Sequence, residues 1–138
     1  MSQALGVPSD RPSPSDRPSP TDAAPTADLA GQALRDIADV PALEVITTTA
    51  LHLMSAAAVK CGLGTDEAVA GHQDLDEARK LIASLAGLVT AAAPEIGSQH
   101  AALLRDGLKQ LQLAFREASP VPDEPGQGPG EKLTGSVV

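Results

Sequence analysis

The chain has 138 residues, enough for one small domain. Phe115 is its single aromatic residue, and alanine and leucine supply most of the 42% hydrophobic content, a composition that argues against a β-rich fold. Eighteen acidic against ten basic side chains give a formal charge of −8, a field that repels DNA and anionic membrane surfaces.

Proline draws the boundaries. Six of the twelve prolines fall within 8–25 and four within 120–129, which predicts a helical domain over 28–119 between disordered tails at 1–27 and 120–138. The first tail repeats the hexapeptide SDRPSP at 9–14 and 15–20. It also lacks the basic start and apolar run of a signal peptide, so the expected location is the cytoplasm. Over 28–39, Leu29, Ala33, Leu34 and Ile37 recur at helical spacing with Asp28 placed to cap, which predicts a short fourth helix.

Three stronger helices form the expected core, and the expected fold class is all-α. The first spans about 41–61. Pro41 suits a first turn, Glu44 lies at the positive end of the dipole, and Gly62 stops it. Its weakly charged stretch at 45–59 is broken by threonines, His52 and Ser55 and is too short for a membrane span, so no membrane is expected as a partner. A short turn is expected within 65–70. The second helix, about 74–93, opens on a capping box of Asp74 and Glu77 and ends before Pro94. The third, about 98–118, has Ser98 as its cap and sets Leu104, Leu108, Leu111, Phe115 and Ala118 on one stripe.

From Leu81 to Ala93 no face carries a charge, a pattern of helices buried all round. Three helices of this size leave such a surface partly uncovered, so a homodimer or a protein partner is expected. The candidate interface residues are Leu81, Leu85, Leu88, Val89, Leu53 and Ala57.

Chemistry-bearing residues are few. His52, on a stripe with Val45, Thr49, Ala56 and Val59, is the one candidate acid/base, but no carboxylate lies within a turn to orient it. Cys61 cannot form an intrachain disulfide, and its place at a helix C-terminus disfavours the thiolate. It also lies about 180° round the helix from His52, so the two cannot share a metal. No metal or cofactor is expected. The glycines at 62–64 read as a helix stop. GQGPGEK at 126–132 lacks the spacing of a phosphate-binding loop. Arg105, Lys109 and Arg116 form a basic line beside the third apolar stripe. With nine acidic and six basic residues in 40–119, it reads as a set of salt-bridge partners, with ribosome or RNA contact as the rival reading.

Three segments, VPALEVITTTALHLMSAAAVKCGL (40–63), DLDEARKLI (74–82) and LRDGLKQLQLAFREAS (104–119), resemble a family of small bacterial proteins, domain of unknown function 1844. The resemblance extends from residue 40 onward, about 70% of the chain. It implies a bacterial source and a cytosolic, non-enzymatic role encoded near translation genes, and it brings no functional residues with it. The expected function is thus a non-catalytic self-associating or protein-binding module. A translation-associated, ribosome-contacting factor and an enzyme using His52 are the alternatives.

Overall fold

A computed structural model describes residues 20–64 and 71–138. The expected extra turn at 65–70 and most of the disordered tail at 1–27 lie outside the described residues. Five helices are present among them, and no strand: α1 (Pro20–Asp39), α2 (Ala42–Lys60), α3 (Leu75–Ile96), α4 (Ser98–Ala118) and α5 (Glu131–Thr134). The fold is all-α, as the composition requires. The chain divides into two units at Val40 and Pro41, so the boundary expected at residue 28 moves to the proline that opens α2.

In the first unit, α1 starts at Pro20, eight residues before the expected Asp28. Proline suits a first helical position, where its missing N–H has no partner to lose. Leu29, Leu34 and Ile37 are all exposed on this helix.

In the second unit, α3 is the central element, packed against α2, α4 and α5. The end of α2 follows its sequence signal. Gly62 takes φ +83°, its N–H reaches the Val59 carbonyl at 3.0 Å, and the Leu63 N–H reaches back to Ala58 at 2.9 Å. Asp74 caps α3 by accepting from the Glu77 N–H at 3.2 Å. The reciprocal arm of the capping box does not form, because the Asp74 N–H donates to the Lys60 carbonyl at 2.8 Å and ties the two helices together. α3 also runs through Pro94 to Ile96. A proline this close to a helix end forfeits a single backbone bond, and the buried Ile96 beyond it anchors the last turn. Gly97, at φ +88°, takes the N-cap position of α4 expected for Ser98, and no side chain caps that helix.

Ile82, Leu85 and Val89 of α3 and Leu108 of α4 are the largest fully buried side chains. α2 contributes Ala50 and Ala57, small residues that bring its backbone close to α3. Gly107 does the same for α4: a β-carbon there would stand 3.0 Å from the Met54 thioether of α2.

Residues 120–138 correct the expectation of a solvated tail, because they fold back over α3 and α4. Gly130, at φ +77°, lies so close to α3 that a β-carbon would stand 2.6 Å from Ala86 Cβ. The Gln112 amide of α4 donates to the Pro129 carbonyl at 3.0 Å and to Thr134 Oγ1 at 3.1 Å. Asp123 receives both a forked contact from Arg79 Nη2, at 2.9 and 3.1 Å, and a bond from Arg116 to its carbonyl at 2.8 Å. The same Arg79 guanidinium stands 5.0 Å over the Phe115 ring.

Candidate functional site

Within the second unit, α2 is the long helix whose apolar surface is least used. At about 100° per residue, Val45, Thr48, Thr49, His52, Ser55, Ala56 and Val59 share a sector about 120° wide, opposite Ala50 and Ala57. Thr48, Leu51, His52, Ser55, Ala56 and Val59 line a shallow groove along this outer side. Val45 is 41% and Leu51 57% exposed. The Thr49 hydroxyl donates to the Val45 carbonyl at 2.7 Å, and Thr47 bonds back to Leu43 at 2.9 Å, so both hydroxyls are absorbed by the helix itself. By length and composition α2, at 19 residues, is long and apolar enough to cross a membrane, which corrects the reading of its apolar stretch as too short, and little of that stretch is buried. His52 is exposed in this groove, which has no carboxylate in its lining.

The interface expected on α3 is corrected. Leu85 and Val89 of α3 and Ala57 of α2 are at most 1% exposed and belong to the core. Leu53, Leu81 and Leu88 are half-buried against it. The uncharged side of α3 does need a cover, and the chain's own residues 120–138 supply it.

The basic line is divided. Arg116 is held by the Asp123 carbonyl, whereas Arg105 and Lys109 stay together, one turn apart on α4. They line a cleft of about 370 Å³ between α3, α4 and residues 133–137, with Val89, Thr90, Leu108 and Leu133 among the other walls. Neither cation has an ion-pair partner among the described residues.

The remaining candidates have structural places. Cys61 is 3% exposed, and burial pushes its thiol above the ordinary range. We expect its alkylation by iodoacetamide at neutral pH to be at least about tenfold slower in the native protein than in urea, as a mass-spectrometric time course would show. Because the folded state favours the neutral thiol, its contribution to stability is present at neutral pH and is lost as the pH rises past the unfolded thiol's value. His100 Nδ1 lies 3.2 Å from the Ile96 carbonyl, and His72 is exposed. Among the described residues no three His, Cys, Asp or Glu side chains are grouped to hold a metal. In the glycine-rich segment the Gly128 N–H, which a phosphate cradle would use, donates to Glu131 Oε2 at 2.6 Å.

A central helix flanked by two others and covered by a folded-back C-terminal segment defines a small helical-bundle domain. Residues 42–117 match the family model described as Domain of unknown function (DUF1844), and the chain belongs to that family. No curated protein and no solved structure matches the chain.

Proposed function

We propose that the domain is a non-catalytic association module that pairs with a second copy of itself through the outer side of α2. The carrying observation is the near-symmetry about His52 of that outer stripe, exposed from Val45 to Ser55 and half-buried at Ala56 and Val59. Seven residues to either side stand Val45 and Val59, three to either side Thr49 and Ser55, and four to either side Thr48 and Ala56. A two-fold axis at His52 therefore sets valine against valine and small residue against small residue, as an isologous contact requires. An antiparallel crossing there also brings Glu44 level with Lys60 of the second copy, and these two with His52 are the ionisable groups of α2. Small side chains along the stripe let the backbones approach closely.

Sedimentation equilibrium tests this. The wild type is expected to be a dimer at micromolar concentration. His52→Glu places two carboxylates at the axis and should weaken the dimer at least about tenfold, while His52→Leu should tighten it about as much. His52 is exposed, so both variants should keep the wild-type circular dichroism. A wild-type monomer, or a dimer indifferent to both substitutions, would refute the pairing. A monomer that floats with phosphatidylcholine vesicles would instead assign the α2 surface to a lipid interface.

A further inference from the structure

We infer that the cleft between α3, α4 and residues 133–137 is a binding site for a small organic phosphate. Arg105 and Lys109 lie four residues apart on α4, so two like charges face one another on adjacent turns, an arrangement that disfavours the helix unless a counter-charge sits between them. The chain supplies none: no Asp or Glu lines the cleft, and neither cation is in an ion pair among the described residues, in a protein whose net charge is −8. Thr90, across the cleft on α3, is the third donor. Unlike Thr47 and Thr49, its hydroxyl makes no bond back to its own helix and is available to a ligand.

The other side-chain donors of the lining are occupied. Both protons of the Gln112 amide go to Pro129 and Thr134, the Thr134 hydroxyl donates to Gly135, and Ser136 donates to the Val138 carbonyl. Recognition thus falls to a forked guanidinium, a point-charge ammonium and one hydroxyl, a donor set that matches the charge of a phosphate monoester. Val89, Leu108 and Leu133 add an apolar wall that an inorganic ion leaves unused. The volume, about 370 Å³, suits a molecule the size of a substituted phenyl or sugar phosphate.

Isothermal titration of the full chain with phenyl phosphate tests the site, with inorganic phosphate and benzoate as the other two probes. Phenyl phosphate is expected to bind saturably, one per chain, at least about tenfold more tightly than either comparison probe. The double substitution Arg105→Ala with Lys109→Ala should cost at least about tenfold, and Thr90→Val about threefold, while Lys80→Ala, outside the cleft, should leave binding unchanged. All four positions are exposed, so circular dichroism should stay that of the wild type. Absence of saturation up to about 20 mM would overturn the proposal, as would equal binding by the double variant. Inorganic phosphate binding as tightly as the ester would overturn the assignment to an organic ligand. None of these readings depends on the pairing of α2.

Discussion

Replacing Ile82 with alanine is expected to destabilise the second unit by about 3–4 kcal/mol. Ile82 is fully buried on the central helix and, with Leu85, Val89 and Leu108, is one of the four large side chains in that state among the described residues. Most of the remaining core is alanine: Ala50, Ala57, Ala78, Ala86, Ala92, Ala93 and Ala101. Alanine carries no rotamer with which to fill a void, so the three methyl and methylene carbons lost at position 82 leave a cavity whose walls cannot collapse. A domain of this size has about 5–15 kcal/mol of stability in all, and the substitution removes a substantial part of it. Urea denaturation should show a lower midpoint with an unchanged slope. Leu103→Ala, on a side chain 73% exposed, should change stability by no more than about 0.5 kcal/mol.

The three main helices, α2, α3 and α4, were legible in the sequence because each carries its own local signal. Gly62 as a left-handed stop and Asp74 as a cap act through backbone hydrogen bonds within a few residues, and such signals survive any tertiary arrangement. The stripe Leu104, Leu108, Leu111 and Phe115 also faces inward as its spacing demands. Pro94 misled because its cost is one backbone bond, which the burial of Ile96 outweighs.

The candidate surfaces were legible only in part. An uncharged α3 demands a cover without saying whether it comes from another molecule or from the same chain, so Leu85 and Val89 read equally well as interface or core. The deciding residues are Gln112, which acts across 17 or more positions, Gly130, which acts through backbone shape, and Glu131, whose carboxylate binds backbone amides on either side of α5, and no periodicity reports them. Proline and glycine at 120–130 read as signs of a solvated arm. Here they permit the turns that lay the chain against α3. Once that cover is in place, the apolar surface of the second unit left uncovered lies on the outer side of α2, around His52.

Glu131→Ala is expected to release residues 126–138 from the core and to cost about 3 kcal/mol. Glu131 is 5% exposed and faces no cation. Its two carboxylate oxygens instead accept backbone amides on either side of α5, Gly128 N–H at 2.6 Å and Val137 N–H at 3.1 Å. The side chain thereby closes the segment into a loop that presents Gly130 to Ala86 and Pro129 to Gln112. Truncation strands both amides in a half-buried setting, and each such loss to a charged acceptor is worth about 1.5–3 kcal/mol. Glu131→Gln keeps one acceptor oxygen and should cost about half as much. Hydrogen exchange distinguishes release of the segment from general unfolding: protection should fall at Gly128 and Val137 while that of Ile82 and Leu85 in α3 persists. Gly130→Ala should reproduce the pattern by a different route, since its methyl meets Ala86 and its φ of +77° strains any side chain. Two unrelated lesions, one electrostatic and one steric, would then converge on the same opened state, as they must if residues 120–138 form the cover that the uncharged side of α3 requires.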